Sequence, residues 1–193
     1  MTSLITALVL TVALTNGAMA GAPTDQLRTT VDRVLAILKD SKLSSPSAKD
    51  TRREELRKAI FPRFDFEEMA KRSLGAEWRR QPPAQQKEFV DLFTELLRNS
   101  YVESIESYGG SKVVYNRESQ DGNYAEVGSK ITAHQGEEFS IDYRLMLEGG
   151  AWKVYDVVVE NISLVNNYRS QFRRILGRSS FADLLQTIRD KIR

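Results

Sequence analysis

The hydrophobic pattern of this chain changes its period at Gly109-Gly110. In the segment from Phe89 to Tyr108, apolar residues recur at every third or fourth position, which is typical of one face of a helix. From Lys112 to Glu160, apolar and polar residues alternate instead, as in strands buried on one face. Because helical spacing returns after Ser163, the pattern predicts an α+β fold, with N- and C-terminal helices covering a curved antiparallel sheet of about four strands.

Turn residues divide the chain into elements. Asp65 is a suitable N-cap, Gly75 closes the helix that follows it, and Gly177 separates the last two helices. Helices are predicted over residues 24–41, 50–60, 66–74 and 84–108, from 163 to Gly177, and beyond Gly177. Strands are predicted over residues 112–117, 124–134, 137–148 and 151–160.

The Gly149-Gly150 turn predicts the register of the last hairpin. If these two glycines form a two-residue turn, residues whose numbers sum to 299 face each other. This rule pairs Leu147 with Trp152, Leu145 with Val154 and Tyr143 with Asp156, and it places Val158 on the same apolar face. We expect Leu145 and Val154 to lie under the long helix that carries Leu97, Tyr101 and Ile105.

The composition excludes several kinds of site. The 193 residues include no cysteine and one histidine, so thiol catalysis, iron–sulfur clusters and multi-histidine metal sites are excluded. His134 stands beside the predicted Gln135-Gly136 turn, which does not favour catalysis. The common hydrolase, P-loop and dinucleotide motifs are absent, so no metal or resident cofactor is expected. A net charge of only +2 argues against nucleic-acid binding.

Basic residues cluster in three places: from Arg52 to Arg63, at Arg79-Arg80, and from Arg169 to Arg178. They form either solvated faces or a rim that meets anionic headgroups or an acidic partner. The carboxylates Glu103 and Glu106 lie one helical turn apart, and we expect them to be solvated.

The N-terminus has the features of an export signal. An apolar run from Leu4 to Leu14 precedes Ala18-Met19-Ala20, an A-x-A cleavage site. Cleavage after Ala20 removes residues 1–20 and leaves residues 21–193 as a single soluble domain. The apolar run is about half the length that a bilayer-spanning helix needs.

Three hypotheses compete for the apolar face of the sheet: an enzyme pocket, a closed core and a binding cavity. A Tyr143–Asp156 pair in an apolar pocket is suited to proton transfer on a small hydrophobic substrate. One hypothesis is therefore that the protein is an enzyme. The aromatic residues where the helices meet the sheet suit either a closed core, as in an interaction module, or the lining of a cavity.

Two ordered stretches carry a family resemblance. The first contains Phe64–Ala70 (FDFEEMA), Leu74-Gly75 and Trp78-Arg79, and continues through the Phe89–Tyr101 helix; the second runs from Tyr143 through Trp152–Val157 (WKVYDV) to Ser163–Phe172 (SLVNNYRSQF). Together they resemble the MlaC, or toluene-tolerance, family of periplasmic phospholipid-binding proteins. Asn161 departs from the family pattern, which usually has glycine there.

The resemblance implies a periplasmic shuttle that holds acyl chains between sheet and helices, with phospholipid as cargo rather than cofactor. It implies exchange with an inner-membrane ABC transporter that has an MCE-domain subunit, and with an outer-membrane lipoprotein–porin complex, so that outer-membrane lipid asymmetry is maintained. Combined with the predicted faces, it assigns twelve lipid-binding residues: Phe93, Leu97, Tyr101, Ile105, Ile141, Tyr143, Leu145, Trp152, Val154, Val158, Tyr168 and Phe172.

Overall fold

The computed structural model describes residues 22–133 and 136–193. The predicted export signal, residues 1–20, and His134 both lie outside the described residues. Within them, the helices follow the predicted segments closely, and the Asp65 carboxylate accepts a hydrogen bond from the Glu68 N–H at 2.8 Å, as expected of an N-cap. The helices are α1 (Pro23–Lys39), α2 (Lys49–Ile60), α3 (Phe66–Leu74), α4 (Pro83–Ser107), α5 (Leu164–Leu176) and α6 (Phe181–Ile192).

The strands form one antiparallel sheet in sequential order, which confirms the α+β class. The sheet has five strands rather than about four, because the two residues of the last strand are too few to show an alternating pattern. The strands are β1 (Lys112–Asp121), β2 (Tyr124–Thr132), β3 (Glu138–Glu148), β4 (Ala151–Val159) and β5 (Ile162–Ser163).

A β-bulge in β4 changes the predicted register. Leu147 pairs with Trp152 and Leu145 with Val154, as predicted, but Tyr155 is an extra residue, and Arg144 therefore pairs with Asp156. The predicted pairing of Tyr143 with Asp156 is wrong, since Tyr143 faces Val157. Val158 lies opposite Asp142 on the other face of the sheet, so its predicted place on the apolar face is also wrong.

The turn from β4 to β5 explains the departure at Asn161. Glu160 and Asn161 have φ angles of 47° and 65°, in the left-handed region. Glycine adopts this conformation without strain, and asparagine is among the side chains that tolerate it best. Asparagine at position 161 is therefore compatible with this turn.

The apolar side chains form two clusters in different parts of the fold. One lies among α3, α4, α5 and α6, where Phe93 meets Tyr168 edge-on at a ring separation of 5.2 Å. The other lies between the sheet and α1, where Leu27 and Phe64 pack against the cluster that contains Leu145 and Val154. The Asp65 N–H donates to the Val154 carbonyl at 2.9 Å, which holds the Phe64 segment against β4.

Candidate functional site: an apolar cavity between sheet and helices

A cavity lies between one half of the sheet and helices α1, α2 and α4. Its volume is about 280 Å³. The start of α1 and Phe64 pack on the part of the sheet face that contains Leu145 and Val154, and the N-terminal half of α4 is held in the helical cluster. The rest of the apolar sheet face is therefore not filled by side chains. The C-terminal half of α4 then extends over the open half of the sheet without filling the space below it.

Five of the twelve predicted residues line this cavity. They are Leu97, Tyr101 and Ile105 of α4, and Ile141 and Tyr143 of β3. The structure brings them together across the gap between helix and sheet, as the predicted faces required.

Seven predicted residues lie outside the cavity lining. Phe93, Tyr168 and Phe172 are buried in the helical cluster, and Leu145, Trp152 and Val154 are buried in the cluster beneath α1 and Phe64. Leu145 and Val154 therefore do not lie under the cavity half of α4, contrary to the prediction. Val158 is on the opposite face because of the bulge, and Val157 and Val159 line the cavity instead.

Sequence reasoning missed the wall formed by the first two helices. Val31, Val34 and Leu35 of α1 and Leu56 and Ile60 of α2 all line the cavity. Their helical spacing was visible in the sequence. However, a stripe of this kind shows that a helix face is covered, not whether a side chain or a ligand covers it.

The lining is apolar apart from hydroxyl groups and a few arginines, and it contains no carboxylate within the described residues. Burial raises the pKa of Tyr143 to about 12. Burial, together with the neighbouring Tyr168, also raises the pKa of Tyr101 to about 12. Both phenols are therefore neutral at physiological pH and add no charge to the lining.

Charged side chains border the cavity where α2 passes α4. Arg53 and Arg57 of α2 and Arg98 of α4 line this border, and their side chains are 30–45% exposed. Arg52 and Arg53 both bind the Glu106 carboxylate, at closest distances of 2.8 and 3.0 Å. These ion pairs link α2 to α4 across the cavity border.

Glu106 is mostly buried, which corrects the expectation that it is solvated. Its side chain is only 13% exposed. Burial acts to raise its pKa, but hydrogen bonds from Arg53 and Arg52 and their positive charges outweigh this effect, so the pKa lies below its ordinary value of 4.5. The Glu106 carboxylate is therefore ionised at neutral pH, and the α2–α4 link is ionic.

Glu106→Gln is expected to loosen this link and to lower stability by about 1–2 kcal/mol at neutral pH, because two guanidinium groups lose their carboxylate. Because the pKa of Glu106 is lower in the folded than in the unfolded protein, its carboxylate stabilises the fold fully at pH values above the unfolded-state pKa. This stabilisation is lost as the pH falls through the folded-state pKa. The melting temperatures of wild type and variant should therefore converge below about pH 4. A difference that stays constant down to about pH 3 would contradict an ionic link; Glu103→Gln, at a mostly exposed carboxylate, is the control.

Asp156 anchors α5 rather than facing the cavity. It is 3% exposed and accepts hydrogen bonds from Arg144 at 3.0 Å, the Ser163 hydroxyl at 2.7 Å and the Val165 N–H at 3.0 Å. These donors satisfy the buried carboxylate and fix the start of α5 against β4. The Tyr143–Asp156 pair on which the enzyme hypothesis depended does not form.

Fold and site together define an α+β protein with an apolar cavity between its sheet and its helices. In the described residues, no group of three or more His, Asp or Glu side chains is placed to hold a metal ion. None of the described helices is both long and apolar enough to cross a membrane. Residues 28–190 match the MlaC protein family, and the chain belongs to this family.

Individual relatives agree with this assignment. The chain is 28% identical to toluene tolerance protein Ttg2D of Pseudomonas putida over 171 residues, which span 88% of this chain and 79% of that protein. It is 23% identical to the intermembrane phospholipid transport system binding protein MlaC of Haemophilus influenzae, over 67% of this chain and 63% of the relative. A solved phospholipid-binding protein from Ralstonia solanacearum, in complex with a phospholipid, superposes with a TM-score of 0.79 at 26% identity, covering 89% of this chain and 97% of that one.

Proposed function

We propose that this protein is a non-enzymatic phospholipid carrier of the periplasm. In this proposal, the export signal is cleaved after Ala20, and residues 21–193 form one binding domain that holds acyl chains as cargo. The observation that carries it is the apolar cavity between sheet and helices, in a fold shared with a protein solved in complex with a phospholipid.

The energetics of the cargo favour a cavity of this composition. A phospholipid has about thirty methylene groups, each worth ~0.8 kcal/mol on burial, so it crosses water only when its chains are covered. An apolar lining supplies such cover without a strong polar anchor. Because the cavity and a bilayer then solvate the chains similarly, the net free energy of transfer is small, and contacts at a partner are sufficient to set its direction.

The charged border between α2 and α4 is the proposed position of the headgroup. Arg53, Arg57 and Arg98 are close to solvent and adjoin the apolar lining. A guanidinium group matches the geometry of a phosphodiester, so chains in the cavity would leave the phosphate beside these side chains.

We propose further that the carrier exchanges lipid with two membrane complexes and thereby maintains outer-membrane lipid asymmetry. One is an inner-membrane ABC transporter with an MCE-domain subunit, and the other is an outer-membrane lipoprotein–porin complex. Support comes from membership of the MlaC family and from the Haemophilus relative, which is named as the binding protein of an intermembrane phospholipid transport system.

Organic extraction of protein purified from its exported compartment, followed by mass spectrometry, tests this function. We expect close to one equivalent of phospholipid or more per protein, because a lipid with about thirty buried methylenes leaves the cavity slowly in the absence of an acceptor. A well-folded, thermally stable protein that contains no lipid would overturn the proposal.

A further inference from the structure

The structure distinguishes the first basic cluster of the sequence from the third. In the first cluster, Arg52, Arg53, Arg57 and Lys58 are ion-paired with glutamates, and Arg63 donates to Gln26 and to the Trp152 carbonyl. The cluster at the C-terminal end of α5 differs, since among the described residues Arg173, Arg174 and Arg178 have no carboxylate within ion-pairing distance. Residues 161–182 contain four arginines and no lysine, aspartate or glutamate. The positive charge of this segment is therefore not neutralised locally.

These arginines lie at the exposed C-terminal end of α5, with Arg173 and Arg174 in the helix and Arg178 two residues beyond it. All three are exposed, and Asn166 and Ser170 are exposed on the same side of α5 as Arg173 and Arg174. The opposite side of α5 is buried through Val165, Tyr168 and Phe172. The first turn is fixed by Asp156, and the Arg169 Nε donates to the Arg72 carbonyl at 2.7 Å.

We propose that this face, defined by Arg173, Arg174 and Arg178, docks on the surface of a bilayer that contains anionic phospholipid. The inference rests on the proposed carrier function and adds a membrane contact to it. Guanidinium groups bind phosphates in a bidentate manner, and basic side chains near an anionic leaflet each add about 1 kcal/mol of attraction. Leu164, at the start of the same helix, lines the cavity, so docking through α5 brings the cavity close to the membrane.

The composition of the face favours a lipid surface over an acidic protein. Stable protein interfaces have apolar or aromatic anchors at their centre. The large apolar side chains that are exposed in the described residues are Val114, Tyr124, Val159 and Ile162, and none of them belongs to α5. A face that offers only arginine and small polar groups is suited to a weak, salt-dependent contact with headgroups.

Vesicle co-sedimentation tests the proposal with the purified full-length mature protein. The probes are vesicles of phosphatidylcholine alone and vesicles that also contain about 30% phosphatidylglycerol, at low salt and at about 0.15 M salt. We expect binding to the anionic vesicles only, weakened by salt. The combined Arg173→Gln, Arg174→Gln and Arg178→Gln variant should lower the partition coefficient about a hundredfold, since each arginine contributes about a fivefold factor.

A matched triple variant separates the face from net charge. Arg80→Gln, Lys87→Gln and Arg117→Gln remove three exposed cations that are ion-paired in the structure, and this variant should retain most of the vesicle binding. The proposal would be overturned if both triple variants lost vesicle binding equally, if the protein bound neutral and anionic vesicles equally, or if it bound no vesicles.

If the protein bound no vesicles but was retained on poly-glutamate through the three arginines, the face would be assigned to an acidic protein instead. Both variants should keep co-purified lipid, so failure of the docking proposal is distinguishable from failure of the carrier function.

Discussion

Val157→Trp is expected to give a folded protein of near-normal melting temperature that has lost most of its bound phospholipid. Val157 lines the cavity beside Ile141 and Tyr143, so an indole there extends into space that the cargo would occupy. If the ring excludes roughly three methylene groups at ~0.8 kcal/mol each, lipid affinity falls about fiftyfold. Lipid extraction with mass spectrometry, together with a melting curve, measures both effects.

Val154→Trp is the matched control, three residues earlier on the same strand. Val154 is fully buried beneath Phe64, in a region that side chains already fill. A large ring there should overpack the core and cost about 1–3 kcal/mol or more, while the folded fraction keeps its lipid. If Val157→Trp instead lost as much stability and retained its lipid, the space beside Val157 would be core and the cargo would lie elsewhere.

Asp156→Ala is expected to lower the free energy of unfolding by about 3–5 kcal/mol, because removal of one partner from a buried ion pair leaves uncompensated polar groups. Three donors lose their acceptor: the Arg144 guanidinium, the Ser163 hydroxyl and the Val165 N–H. Denaturant unfolding followed by circular dichroism measures the change, and the start of α5 should lose protection in hydrogen exchange.

Asp156→Asn and Glu126→Gln are the controls for this prediction. The amide side chain in Asp156→Asn retains an acceptor oxygen, so the loss should fall to about 1–3 kcal/mol. Glu126 also contacts Arg144, at 3.4 Å, but it is partly exposed. Its variant should therefore cost less than about 1 kcal/mol. If Asp156→Ala were as mild as Glu126→Gln, the carboxylate would not anchor α5. If it abolished lipid binding in the folded fraction, its role would not be structural alone.

Much of the fold was predictable from local patterns. Helix α4 was predicted to within about one residue at each end because a long apolar stripe and a preceding proline pair both mark it. The glycine turns predicted four of the strands, and the pairing nearest the Gly149-Gly150 turn was correct because the turn itself sets that register. The same patterns, with their order along the chain, carried the resemblance to the MlaC family, which the match over residues 28–190 confirms.

The sequence by itself determined the class of fold, the family and the α4 side of the cavity, because each depends on periodicity or on ordered motifs. Only the tertiary structure decided which part of the sheet face is open. The bulge at Tyr155 turns Asp156 and Val158 away from the cavity. On that side Asp156 binds Arg144 of β3 and the N-terminus of α5, which belong to other elements of the fold. Whether an apolar residue of the sheet contacts another side chain or lines the cavity depends on where α1 and Phe64 pack. Hydrophobic periodicity carries no information about that position.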